Sequence, residues 1–390
     1  MKNSIIKNHH CLLLVYALFL ITFLVQTKAV AQNTKPTGDV SDVRVLRSVE
    51  QEPKTELLGQ PSLALWKEKH LVVAYQKGIP GKADMGSIDA IVSTNDGDSW
   101  GIPSTIFDHT ERHGSIQFGY SNAVLYKPLG QEVLWCFAMR CPLNYADSED
   151  SQLAAAYSGD GGRSWNPVEL AMRYSGSLVI IGEIQRIMEN DQPVYLLPAH
   201  RNTRDHDPNG QREQFVLRST SLLDWRLGGY VPQPEPAKVF LHEGQIAVTN
   251  KENHLRMVMR TSVKEGNVPL DRPFAWSTTS TDGGRTWSLA QEEPDLWNTV
   301  SEAWFGQTRY GTQLYVYNDG PQGSRMALRY KLKPTDGTWS EEKTFFDIGI
   351  HNSYPTLIET APGEFRAVWD SGDEKRTRRA IRFGKFTLKP

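Results

Sequence analysis

The sequence predicts an all-β chain wound as a six-bladed β-propeller, and three observations carry that prediction. One short turn motif recurs at a nearly fixed interval. Short runs of β-formers precede each copy, and no convincing helical period interrupts them.

The turn motif is clearest in three places: Ser93-Thr94-Asn95-Asp96-Gly97-Asp98-Ser99-Trp100, Ser158-Gly159-Asp160-Gly161-Gly162-Arg163-Ser164-Trp165 and Ser280-Thr281-Asp282-Gly283-Gly284-Arg285-Thr286-Trp287. In each, Asp (Asn95 in the first) caps backbone N–H groups, Gly permits positive φ and Trp tucks under the turn. Degenerate copies run from Ser219 to Trp225 and from Lys333 to Trp339. Starting positions 93, 158, 219, 280 and 333 are 65, 61, 61 and 53 residues apart. Units of that size, rich in short strands, are propeller blades rather than helical repeats.

Second strands are expected at Leu71–Tyr75, Val133–Phe137, Val194–Leu197, Leu255–Met259 and Gln313–Tyr317. A sixth set, Thr356–Ile358 and Phe365–Trp369, lacks a turn motif of its own. The early stretch Val40–Ser48 can supply the strand that closes the ring.

Ahead of the repeats, residues 1–31 read as an export leader. Lys2 and Lys7 precede an apolar run from Leu12 to Val25, and Ala29-Val30-Ala31 offers a cleavage site. The run is short against the ~20 apolar residues of a membrane span. Residues 32–390 then form one secreted or periplasmic domain with no membrane span. Forty-three Lys and Arg balance 45 Asp and Glu without a basic block, which argues against nucleic acid as a partner. Cys136 and Cys141 are read as packed thiols, and no His/Cys pattern suggests a metal, so neither metal nor cofactor is expected. The expected state is a monomer.

Chemistry in such a fold gathers where inner strands converge on the axis, so polar residues at blade starts draw attention. Asp84, in a Gly-flanked loop, can be a general acid/base or a solvated carboxylate. Glu243 begins a strand that is expected to run on to Arg260. A carboxylate entering an apolar strand needs a partner or a task. Arg260 and Arg325 can be rim ion pairs or halves of a carboxylate clamp. Tyr354 opens the last blade, as core or as nucleophile.

The S-x-D-x-G-x-[ST]-W turns at about 60-residue intervals resemble those of the BNR/Asp-box proteins, above all the sialidase superfamily, along nearly the whole mature chain. The resemblance implies a Tyr nucleophile at Tyr354, activated by Glu243, with Asp84 as acid/base and Arg260 and Arg325 on a substrate carboxylate. It also expects an Arg on the first inner strand, where Gly59-Gln60-Pro61 stands instead. Gln60 donates hydrogen bonds but brings no charge, so the pocket is expected to take a sugar other than sialic acid, a uronic acid or a sulfated residue. The leading expectation is an exo-glycosidase acting on an acidic oligosaccharide or polysaccharide. A lyase or dehydratase is the alternative, with His113, Tyr120, His200, Arg201 and His351 as its material, each of which can equally be a structural residue. A non-catalytic glycan-binding propeller is the third.

Overall fold

In a computed structural model of the protein, residues 37–388 are described apart from 53, 144–150, 174–176, 203–211, 234–238, 250–252, 264–272, 299–300, 321–323 and 373–377. The expected leader lies outside the described residues. Those described form strands and turns, with one 3-10 turn at Val49–Gln51.

Blade 1 comprises Leu57–Lys67, His70–Ile79, Lys82–Ser93 and Ser104–Phe107. Blade 2 comprises Ile116–Tyr126, Leu134–Pro142, Gln152–Ser158 and Asn166–Val168. A single bridge, Gly86 to Tyr120, joins these two into one sheet. Blade 3 has a broken inner strand, Val179–Ile180 and Gln185–Glu189, followed by Gln192–Asn202, Arg212–Ser219 and Asp224–Tyr230. Blade 4 is Val239–Val248, Leu255–Val263, Phe274–Ser280 and Gln291–Trp297. Blade 5 is Trp304–Gln307, Gln313–Asp319, Ala327–Lys333 and Lys343–Phe346. Blade 6 is Asn352–Ala361, Glu364–Ser371 and Ala380–Thr387, and its outermost strand is Ser41–Ser48, paired antiparallel with Ala380–Thr387. The N-terminal stretch therefore closes the ring, as the sequence led us to expect.

The core is divided as the blades are. Six apolar clusters each draw side chains from two successive blades, and the last joins Val368, Ile381 and Phe383 of blade 6 to Leu58, Leu71 and Tyr75 of blade 1. The inner strand of blade 1 is buried along nearly its whole length because a neighbouring blade covers each face.

The turn motifs work as their chemistry requires. Asp160 accepts from the backbone N–H groups of Arg163 and Ser164, each at 3.0 Å, while Ser158 Oγ accepts from Gly162 N at 2.8 Å. Asn95 takes the Asp role in the first motif, accepting from Ser99 N at 2.9 Å. Gly161 and Gly283 hold φ of 76° and 70°, whereas the first motif places Asp96 at 61°. Arg366 of blade 6 holds Asp96 there with two 2.7 Å hydrogen bonds. Trp100, Trp165, Trp225, Trp287 and Trp339 all pack into the layer shared with the preceding blade. The indole N–H of Trp100, Trp165 and Trp225 donates to a turn carbonyl, while that of Trp287 is buried without a partner among the described residues. Cys136 and Cys141 are buried, and no disulfide joins them.

Candidate functional site

Four inner strands carry the same irregularity. Ladder register slips between Gly59 and Ser62, Ser121 and Val124, His242 and Gln245, and Ser353 and Thr356. Inside each slip one non-glycine residue adopts positive φ: Gln60 at 49°, Asn122 at 55°, Glu243 at 52° and Tyr354 at 50°. A bulge of this kind re-aims a side chain, and a left-handed non-glycine residue costs about 1 kcal/mol or more, so four at matching places mark a built site. Glu183 and Glu302 occupy the corresponding places in blades 3 and 5, just before Gln185–Glu189 and Trp304–Gln307.

These positions interlock between blades. Gln60 Oε1 accepts from Asn122 N at 3.3 Å, and Gln60 N donates to Asp370 Oδ2 at 3.2 Å. Gln245 Oε1 accepts from Glu183 N at 3.2 Å, while its Nε2 donates to Glu302. Trp304 Nε1 donates to Glu183 Oε1 at 3.1 Å. Burial drives the Glu183 carboxyl up to about 7. Burial, followed by the charge of Glu243, holds Glu302 well above the usual carboxylate range. Both carboxyls therefore hold a proton more tightly than an exposed glutamate does.

Guanidinium groups gather around Tyr354. Arg260 Nη1 donates to both carboxylate oxygens of Glu243, each at 2.8 Å, and Arg260 is also electrostatically coupled to Tyr354. Arg325 Cζ lies 5.0 Å, and Arg378 Cζ 5.9 Å, from the centroid of the Tyr354 ring. Burial and then the Glu243 charge raise the phenol's pKa, against the downward pull of Arg325, Arg260 and Arg378. Tyr354 thus rests as a phenol, among cations that would stabilise a phenolate. Arg378 pairs with Asp84. Tyr354, Glu243, Arg260, Arg325 and Asp84, dispersed over 270 residues of sequence, belong to one connected cluster.

A family model described as a BNR repeat-like domain matches residues 69–366. The chain belongs to that family. No curated protein matches the sequence. Solved structures similar to this BNR-repeat chain share its fold at low identity. A Dyadobacter fermentans protein of unknown function is 16% identical, with a TM-score of 0.64 over 91% of this chain and 99% of that one. The intramolecular trans-sialidase of Ruminococcus gnavus is 13% identical, with a TM-score of 0.64 over 90% and 99%. The Trypanosoma rangeli sialidase solved with sialic acid is 12% identical, with a TM-score of 0.60 over 85% and 54%.

Several sequence expectations need correction on this BNR-repeat scaffold. Asp84 is not in a loop but in the strand Lys82–Ser93, at a φ of 57° and with its side chain 55% exposed. Glu243 and Arg260 do not share a strand. They lie on paired strands, and the bulge after His242, whose register partner is Arg260, brings the carboxylate onto the guanidinium. Arg325 lies just before the strand Ala327–Lys333, where the resemblance would put it within that strand. Tyr120 stacks on Phe107 at 5.0 Å inside the layer between blades 1 and 2, because burying an aromatic ring there outweighs presenting it to the axis. Together with Arg140 it lines a separate cavity of about 490 Å³, bounded also by Leu178 of blade 3. Arg201 is taken up by an ion pair with Glu213, its register partner. His200 is buried, and its Nδ1 accepts from Glu243 N at 3.4 Å, so it braces the bulge. His351 Nε2 hydrogen-bonds Ser353 Oγ at 2.8 Å beside Asp370. His113 falls in the two-residue strand Arg112–His113, and its side chain lies outside what is described.

Sequence reasoning missed Arg378, Glu183, Glu302 and Asp370. Arg378 is one of several basic residues near the blade 6 hairpin, with nothing local to single it out. The two glutamates had a signal: 60, 122, 183, 243, 302 and 354 advance by 62, 61, 60, 59 and 52 residues, nearly the beat of the turn motifs.

Proposed function

We propose that the protein is an exported glycosidase that removes the terminal residue of an anionic glycan. The observation that carries this reading is Tyr354: a buried phenol whose ring lies within 6 Å of two guanidiniums, Arg325 and Arg378, and which is charge-coupled to Arg260 and Glu243. A phenol attacks poorly until its proton leaves. Glu243 accepts that proton as Tyr354 Oη bonds to the anomeric carbon. The glycosidic C–O bond breaks, and its oxygen takes a proton from Asp84. Water then attacks the glycosyl-tyrosine, giving one proton back to Asp84, and Tyr354 recovers its own from Glu243. The anomeric configuration is retained, since two displacements occur at one carbon.

Elimination from a uronic acid is less well supported. His200 and His351, its strongest base candidates, are buried and engaged with Glu243 N and Ser353. The reading of residues 1–31 as a leader accords with a substrate outside the cell.

Mass spectrometry of products from a panel of acidic oligosaccharides tests the proposal. Hydrolysis adds one water, and Tyr354→Phe is expected to lower the rate on the order of 10³-fold or more. An unsaturated product from the wild type, or unimpaired turnover by the Phe variant, refutes it. Binding without turnover would leave only a lectin-like role.

A further inference from the structure

The first inner strand lacks a cation at Gln60, yet Tyr354 faces three guanidiniums. The third, Arg378, arrives from the other side of the closure, just before the blade 6 strand Ala380–Thr387. Its stem fills the space beside the first-blade backbone. A Cβ added to Gly59 would lie 2.9 Å from Arg378 Cδ, 3.2 Å from its Nη1 and 3.1 Å from Asp370 Oδ2. The absence of a side chain at 59 is therefore what admits the guanidinium next to Gln60. Arg378 N–H groups have limited access to water, since the side chain is only 12% exposed. Its neighbour Arg379 points elsewhere, to Glu50 at 2.9 Å.

We propose that Arg378 is the residue that gives the pocket its selectivity for an anionic sugar, supplying from blade 6 the guanidinium that Gln60 does not supply from blade 1. This rests on the reading of the site as one for anionic glycans. A desolvated arginine is costly to keep unless it is paired. Its hydrogen-bond partner is Asp84, the half-exposed carboxylate assigned above to proton transfer, and the buried Asp370 carboxylate adds a second opposite charge. Arg378 has five N–H donors, and among the described residues its Nη2 donates to Asp84. A substrate carboxylate or sulfate can therefore take the remaining donors, which loosens the hold on Asp84 as the glycan arrives. Recognition of the anion and release of the proton donor are then one event.

The test is a charge comparison independent of catalysis. Glucuronic acid and N-acetylneuraminic acid are each titrated against their methyl esters, by calorimetry or saturation-transfer NMR, on wild type, Arg378→Gln, Arg378→Lys and the double variant Gln60→Arg/Arg378→Gln. Wild type is expected to favour one acid over its ester by about ten- to a hundred-fold. Arg378→Gln should lose most of that preference, Arg378→Lys should keep part of it, and the relocated guanidinium of the double variant should restore it. Gly59→Ala, which crowds the Arg378 stem, should weaken acid binding with residue 378 unchanged. If wild type binds acid and ester alike, or binds neither acid, the anionic-substrate reading fails and the proposal fails with it. If wild type discriminates and Arg378→Gln discriminates equally, only the assignment to Arg378 is wrong.

Discussion

Replacing Arg260 with Met should cost the protein far more than the loss of a surface ion pair. Arg260 and Glu243 have side chains only 13% and 12% exposed, and one guanidinium nitrogen serves both carboxylate oxygens. Removing one member of such a pair strands the other charge in a poorly hydrated place, at about 3–5 kcal/mol. The folded unit Pro36–Pro390 has an unfolding entropy of about 0.75 kcal/mol/K at roughly 2.1 cal/mol/K per residue. The loss then amounts to a Tm decrease of about 4–7 °C. Calorimetry near neutral pH measures it, and added salt should change it little because the pair is shielded from solvent. The double variant Arg260→Met/Glu243→Met should recover most of the loss, because no charge is left unpaired. A single-variant decrease below about 1 °C, or a double variant as unstable as the sum of the two singles, would refute the idea that this pair is desolvated and coupled.

Glu183 offers a pH signature. Its folded-state value of about 7 lies above the ordinary 4.5, so the folded chain holds this proton more tightly than the unfolded chain does. That contribution is complete below about pH 4.5, drains away as pH rises through 7, and amounts to about 3 kcal/mol. Glu183→Gln should therefore stabilise the protein at about pH 8 and hardly at about pH 4, with Trp304 still donating to the amide oxygen; an equal gain at both would exclude burial of the carboxyl as the cause. In the second turn motif, Asp160→Ala removes the acceptor of two backbone N–H groups and should cost about 1–2 kcal/mol in chemical denaturation. Although partial burial opposes it, hydrogen bonds from Ser164 and its neighbours hold Asp160 at about 2, so its stabilisation persists on acidification until the pH falls through that value. A loss already complete at about pH 4 would contradict it.

The blades were legible because their turns are specified locally. Asp, Gly and Trp each perform a hydrogen-bonding or conformational task within eight residues, and even Asn95 keeps the capping role. Periodicity also located the closing strand, since Val40–Ser48 could not otherwise cover an exposed sheet edge. The axial site was legible only in part. Its six positions carry Gln, Asn, Glu, Glu, Glu and Tyr, so the residue types vary while the place is constant, and a search by motif finds only those with a family counterpart. The bulges that bring Glu243 onto Arg260 leave no trace in composition. Arg378 was invisible for a different reason: its placement depends on what is missing at Gly59, on a strand 319 residues earlier. Tyr120 and Arg201 show the converse. Both sit at blade edges, but aromatic packing and a cross-strand partner had first claim on them.

The closure in blade 6 ties the two ends of the folded unit to each other. Ser41–Ser48 hydrogen-bonds directly to Ala380–Thr387, and Thr37 bridges to Asp347 of blade 5. Asp96, in the turn of blade 1, reaches across to Arg366 and Lys385 on the same blade. The strand Ser41–Ser48 therefore has no partner until Ala380–Thr387, more than 330 residues later in the chain, has been made, and until then one edge of the array stays open. A cut in an exposed turn elsewhere would leave two fragments still clasped at that seam.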